Sequence, residues 1–263
     1  ITFLEDSLIK EDQIIKNNIN DLYQCNQIFL ANLRQIIDKY SNLESAEMLQ
    51  NWLGLELFLF SYCVNNQPTK EIPFFNTKIV SLYKSYGKIN SIENVVSILS
   101  SFCGTGKTIC LPIILLCQSL KENMNMPFFL LSEPNPKKVA IFFKQKISNF
   151  VTITTNKDDF LKEFNQFNEN KKIVFGIFNP YDFLCLICNP KIIKLSRFVI
   201  DEISQRSTIT DALFTKIIDF KNENLLTFPL HTVLMSSSIS SSLRSLFESS
   251  SIELISLCES SQY

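Results

Sequence analysis

The residues with the most chemistry in their spacing are Gly104-Thr105-Gly106-Lys107-Thr108. They follow an apolar run at 95–100 and open a helical pattern over 107–120. Strand, glycine loop and helix in that order form a cradle for phosphate. Gly104 and Gly106 let backbone N–H groups approach phosphate oxygens. Lys107 would reach the β- and γ-phosphates, and the Thr108 hydroxyl would take a place on Mg²⁺. The helix start adds the positive end of its dipole. Gly104, Thr105, Gly106, Lys107 and Thr108 are therefore the candidate nucleotide-binding set, with ATP and Mg²⁺ as the expected ligands. The usual pattern opens on glycine, and here that position is Ser101, which would be costly if the backbone there needed positive φ. A bare G-x-G-K-T can also be a helix start with a solvated lysine. The preceding strand favours the phosphate reading.

A second constellation lies downstream. Leu195-Ser-Arg-Phe-Val-Ile ends in Asp201-Glu202, an apolar run that delivers two carboxylates to a strand tip. Beside bound phosphates, Asp201 would hold the Mg²⁺ shell and Glu202 would orient or deprotonate the attacking water. The bland alternative is a helix N-terminus that favours acidic residues. Val233-Leu-Met-Ser-Ser-Ser238 puts small hydroxyls at the end of another strand. Asn135-Pro-Lys-Lys-Val-Ala140 puts Lys137 and Lys138 just after a strand, where they could meet phosphodiester oxygens.

These residues need elements to hold them. Short β-rich runs at 95–100, 127–131, 151–154, 172–175, 198–200, 232–235 and 253–257 alternate with helical patterns at 107–120, 137–150, 158–167, 211–220 and 240–247. That alternation predicts a mainly parallel sheet with helices on both faces, an α/β fold. Ligands of such sheets bind beyond the C-terminal ends of the strands, where the motifs fall. Residues 1–70 read as a helical N-terminal segment, with Asn65–Thr69 as a polar break, and 71–263 as the nucleotide-binding domain. The serine-rich end keeps Leu243, Leu246, Phe247, Ile252 and Leu254 in a packable pattern, so its serines are expected on solvent faces.

Composition limits the alternatives. Of 263 residues, 46% are hydrophobic, which suits a buried core and excludes wholesale disorder. Twenty-five basic against 26 acidic residues leave no global electrostatic footprint, so a nucleic-acid partner must be met locally. One histidine, His231, excludes a multi-histidine metal site. Glycine occurs only five times, and two of the five lie in the phosphate loop. The eight cysteines are scattered through apolar segments, and the opening residues are acidic and polar, so a reducing intracellular setting, nucleus or cytoplasm, is expected. Cys185-x-x-Cys188 lacks a second ligand pair and is expected to pack in the core. The apolar runs at 52–64 and 109–117 fall short of the roughly 20 residues of a spanning helix, so no membrane span is expected.

In order, Gly104–Thr108, Pro136–Ala140, Asp201–Ser207 and Met235–Ile239 resemble motifs I, Ia, II and III of the first motor domain of DEAH-type superfamily-two RNA helicases. Pro112, the Arg206-Ser207 and Asp211 positions, and Ile72-Pro73 agree with the same pattern. The resemblance covers 71–263 and implies a RecA-like P-loop NTPase fold. It implies ATP hydrolysis with Mg²⁺, and single-stranded RNA bound through its backbone at Lys137 and Lys138. It also implies a relay of nucleotide state through Ser204, Ser236 and Ser238. It makes Lys107, Asp201 and Glu202 the catalytic set. A second RecA-like domain with an arginine finger is expected C-terminal to it, since 253–257 resembles the connection into that domain, and the chain is expected to be part of a longer protein. An arginine finger can supply roughly 10³–10⁵ in rate in P-loop enzymes. Departures are Ser101 for glycine, Ile203-Ser204 for Ala-His, Ser237-Ser238 for Ala-Thr and Pro180 for glycine. Two other functions stay open: a divergent helicase-like protein that binds nucleotide or RNA without unwinding, and a P-loop ATPase with no RNA role.

Overall fold

The computed structural model describes residues 2–40, 46–65, 82–121, 128–166, 173–204, 207–250 and 252–257. Arg206, Ile72, Pro73 and Cys258 lie outside them. Helices α1 (Thr2–Tyr40), α2 (Ala46–Asn65) and α3 (Tyr86–Asn90) precede β1 (Val96–Ser100). The chain continues through α4 (Lys107–Lys121), β2 (Phe128–Ser132), α5 (Pro136–Ile147), β3 (Thr152–Thr154), α6 (Lys157–Asn165) and β4 (Val174–Phe178). Then follow α7 (Pro180–Ile187), α8 (Pro190–Leu195), β5 (Ser196–Ile200), α9 (Thr208–Asn222), β6 (Thr232–Ser236), α10 (Ser241–Ser249) and β7 (Glu253–Ser256). The strands form one seven-stranded sheet in the order β3-β4-β2-β5-β6-β1-β7. Every neighbouring pair is parallel. The expected α/β architecture, behind a helical N-terminal segment, is the one the chain adopts.

The central strands β1, β2, β4, β5 and β6 are buried along nearly their whole length because both faces are covered. Ile98, Leu130, Phe198 and Leu234 face a cluster completed by Phe160 of α6, Phe183 of α7, Ile192 of α8, Leu213 of α9 and Phe247 of α10. Their neighbours Leu99, Leu131, Val199 and Met235 face the other cluster, with Trp52, Leu55 and Leu59 of α2, Ile89 of α3 and Phe143 of α5. Helix α4, which starts at the glycine loop, is buried at every position from Cys110 to Leu120. A helix apolar all round must be enclosed, and α2 supplies the outer wall.

That wall contains a buried acid. Glu56 accepts hydrogen bonds from Asn32 Nδ2 (3.1 Å), Trp52 Nε1 (3.4 Å) and Tyr86 Oη (2.5 Å). Burial raises its pKa from the ordinary carboxylate value, and these partners oppose the rise. The acid therefore interrupts an apolar run in sequence yet lies at the centre of the α1–α2–α3 packing.

Arg197 of β5 is fully buried and ties α4 to the loop before β6. Its Nη1 donates to Leu115 O (2.8 Å) and its Nη2 to Pro229 O (3.1 Å). His231 lies beside it, stacked on Phe228 with ring centroids 3.9 Å apart. Its Nδ1 accepts the Thr227 N–H (3.1 Å), which leaves Nε2 to donate to Ile193 O (2.9 Å). Burial lowers its pKa to about 4. The unfolded chain takes up a proton below about pH 6.5 while the folded ring stays neutral down to about 4. His231 should therefore cost the fold up to about 3 kcal/mol as pH falls through that window. Urea unfolding at pH 7 and pH 4.5 checks it: His231→Phe, though weaker at pH 7, should lose less stability over the interval than the parent protein.

Three Asn-Pro pairs open helices, at Asn135-Pro136, Asn179-Pro180 and Asn189-Pro190. Proline at the first helical position loses an N–H that has no intrahelical partner there, and Asn accepts from the next turn. The Asn179 side chain accepts from Asp182 N and that of Asn189 from Lys191 N. These prolines therefore start α7 and α8, which the periodicity did not show. Cys185 and Cys188 are exposed, contrary to the expected core packing. In α7, Phe183, Leu186 and Ile187 take the inward face, which turns both thiols outward. Among the described residues no cluster of three or more His, Cys, Asp or Glu side chains is placed to hold a metal ion. Nor is any described helix long and apolar enough to cross a membrane. At the serine-rich end, Leu243, Phe247 and Ile252 are buried while Ser241 and Ser245 are exposed.

Candidate nucleotide site

The C-terminal ends of β2, β5, β6 and β1 form one edge of the sheet, and the loops leaving them continue the ladder. Ser101 N–H donates to Ser236 O (3.2 Å), Asp201 N–H to Ser132 O (3.0 Å) and Ile203 N–H to Met235 O (3.2 Å). The phosphate-loop residues, the acidic pair and the distal serines are thereby brought to the same edge.

The loop after β1 has the shape its glycines imply. Gly104 and Gly106 both lie in the left-handed region, at φ 77° and 76°. A side chain at 104 would meet open space, so the requirement there is conformational. Ser101 is not among the residues with positive φ, so the anticipated steric cost does not arise. It is buried, and its hydroxyl lies 2.8 Å from that of Thr105. Thr105 Oγ1 in turn donates to Phe102 O (2.9 Å), so two hydroxyls brace the turn from inside. Phe102, Cys103 and Gly104 form the solvent side. The N–H groups of Ile109 and Cys110 both donate to Gly106 O, which starts α4 and leaves the N–H groups before them without intrahelical partners. Lys107 is only 5% exposed, so the solvated-lysine alternative does not describe it.

Thr108 Oγ1 donates to Asp201 Oδ2 at 2.6 Å, a contact across 93 residues of sequence. Asp201 Oδ1 accepts the Glu202 N–H (2.8 Å). Burial raises the Asp201 pKa, the hydrogen bond from Thr108 opposes the rise, and the Lys107 charge opposes it further. Glu202 stands in the left-handed region at φ 54°, a strained conformation for a side chain with a Cβ. The strain coincides with the turn that aims the two carboxylates. Ser204 follows the junction of the acidic loop with β6. At that strand's end the Ser236 hydroxyl donates to Ser238 O and accepts the Ser238 N–H (3.2 Å). Lys137 and Lys138 are exposed on the first turn of α5, beyond β2. Among the described residues no hydrogen bond joins them to the glycine loop.

One residue of the site escaped the sequence reading. Glu133 follows β2 directly and is 7% exposed. Its Oε1 accepts the Asn135 N–H (3.1 Å). Its carboxyl lies near enough to Asp201 to feel that group's charge. Burial, together with the charges of Asp201 and Glu202, pushes its pKa up to about 7. The available signal was the one that picked out Asp201, an acid at the end of an apolar strand. Ser-Glu-Pro-Asn-Pro has it, but the following lysines were the residues read.

No family model and no curated protein matches the chain. Among similar solved structures is the DEAD-box helicase Mss116 bound to ssRNA and UDP-BeF, at 16% identity and a TM-score of 0.49 over 77% of this chain and 46% of that one. Another is Mss116p with its NTE and C-tail deleted, bound to ssRNA and AMP-PNP, at 13% identity and a TM-score of 0.47 over 70% and 43%. The chain spans less than half the length of either.

Proposed function

We propose that the chain is an ATP-binding motor domain of an RNA helicase, of the DEAH-type branch, that couples Mg·ATP hydrolysis to RNA binding and unwinding. The observation that carries this reading is the 2.6 Å contact between Thr108 and Asp201 at the foot of a glycine loop. A hydroxyl and a carboxylate so placed are hard oxygen donors and fit Mg²⁺. Thr108 and Asp201 would hold that ion, which when bound neutralises charge on the β- and γ-phosphates. The loop N–H groups and Lys107 bind and orient the triphosphate. Glu202, half-buried beside Asp201, orients the attacking water and takes its proton. Lys137 and Lys138 would meet the backbone of a single strand. The order of the four motifs supports the DEAH-type assignment, and the scattered free thiols support an intracellular setting.

Equilibrium binding of a non-hydrolysable ATP analogue with Mg²⁺ tests the site. Lys107→Ala should weaken it about 10- to 100-fold, the worth of a charge-assisted hydrogen bond in an enclosed site. Unchanged affinity would remove Lys107 from the site. Ser204, at the histidine position of the family resemblance, favours the second reading, binding without productive turnover. Tight analogue binding with no RNA-stimulated hydrolysis by the full-length protein would select it.

A further inference from the structure

We propose that Cys185 and Cys188 form a two-thiolate site for a soft monovalent cation of the Cu(I) class. The inference is independent of the helicase reading and uses a motif that reading leaves aside. Both thiols are exposed. That is unusual, because free cysteine behaves as a small core residue, as Cys25, Cys63, Cys110 and Cys117 do here. Cys185 lies in α7, and Cys188 ends that helix with near-helical backbone angles (φ −67°, ψ −11°). Positions i and i+3 on a helix share a face. The backbone beneath them is held from inside. Phe183, Leu186 and Ile187 are buried, and Phe183 meets Phe198 edge-on with ring centroids 5.9 Å apart. Asn179 caps the start of α7, and Asn189 opens α8 directly after Cys188. One well-packed turn therefore presents both sulfurs to solvent.

Spacing decides what such a pair can do. Cβ atoms at i and i+3 stand about 5–6 Å apart. A disulfide needs about 3.5–4.5 Å between them, so forming one would have to distort the end of α7. A cation held by two bonds of about 2.3 Å, the length of a zinc–thiolate bond, joins sulfurs up to about 4.6 Å apart, which the helical spacing permits. Coordination number then selects the ion. Among the described residues no further His, Cys, Asp or Glu side chain joins the pair to make a set of three. Zinc takes four ligands in a structural site, so two thiolates are too few for it. The carboxylate of α7, Asp182, already accepts from Asn179 Nδ2 (2.7 Å), so the turn offers no spare hard oxygen to draw Mg²⁺ or Ca²⁺. Cu(I) is soft, and two thiolates satisfy it. Binding exchanges two S–H protons for one cation, and no electron is transferred.

The test is a competition titration of reduced full-length protein, kept free of oxygen, with Cu(I) against a chromophoric chelator of that ion. One ion per chain should bind, with release of two protons. Cys185→Ser and Cys188→Ser should each weaken binding by more than about 100-fold, beyond the loss typical when only an outer partner of a metal ligand is removed. Cys103 is also exposed, on the loop after β1, and Cys103→Ser should leave the affinity within a few-fold. The thermal midpoint should rise with Cu(I) in the parent protein and stay unchanged in the double serine variant, whose substitutions touch no buried side chain. The proposal is overturned if the parent takes up no Cu(I) from the chelator, if the serine variants bind as the parent does, or if Cys103→Ser loses as much. Zn²⁺ bound as tightly as Cu(I) would overturn it too, as would half an ion per chain in a dimer, which would make a four-thiolate site between copies.

Discussion

Glu202→Gln should lower RNA-stimulated ATP turnover by about 10²- to 10⁴-fold, the range of a positioned general base, while leaving nucleotide binding within a few-fold. The substitution is isosteric. The Glu202 N–H still donates to Asp201 Oδ1, so the turn at φ 54° is kept at the same steric cost. Thr108 and Asp201 keep their contact, and Lys107 keeps its place beside them. Only the ability to accept a proton from water is lost. Turnover and binding measured on one preparation separate the two effects. Retained turnover would show that another group does the proton transfer and would leave Glu202 as a turn residue.

Removal of residues 1–65 should abolish cooperative folding. Trp52, Leu55 and Leu59 of α2 are at most 1% exposed. Each contributes about 1.5–3 kcal/mol by burial, so the three together supply roughly 5–9 kcal/mol. Whole domains are stable by only about 5–15 kcal/mol. The truncation would also uncover α4, apolar all round, and leave Tyr86 without Glu56. Thermal unfolding followed by circular dichroism should show no sharp transition for the shortened chain. A transition at the parent temperature would mean that α1 and α2 are an appendage and that α4 tolerates exposure.

The sheet was legible because its strands carry short apolar runs bounded by polar breaks, and burial on both faces removes the need for alternation. The turn after β1 was legible because Gly104 and Gly106 stand out in a glycine-poor chain and both adopt the backbone conformation only glycine reaches cheaply. Helices α7 and α8 were not, because Pro180 and Pro190 read as breaks until Asn179 and Asn189 are seen capping the turns they open. Cys185 and Cys188 misled because cysteine is so often buried, whereas i and i+3 on an amphipathic helix share a face, and here that face is outward. Glu133 could not have been assigned by its neighbours in sequence. The charge it feels is that of Asp201, remote in sequence, and its side chain accepts from one backbone N–H. Ser101 was suspected of strain by analogy with glycine, and the fold uses its hydroxyl instead.

The glycine loop and the acidic pair are proposed to form one nucleotide site whose turnover answers to RNA. Phosphate release from ATP by the full-length protein, with and without single-stranded RNA, tests it most directly. Turnover should rise on adding RNA and be lost in Lys107→Ala. Turnover indifferent to RNA, or undiminished in Lys107→Ala, would contradict it.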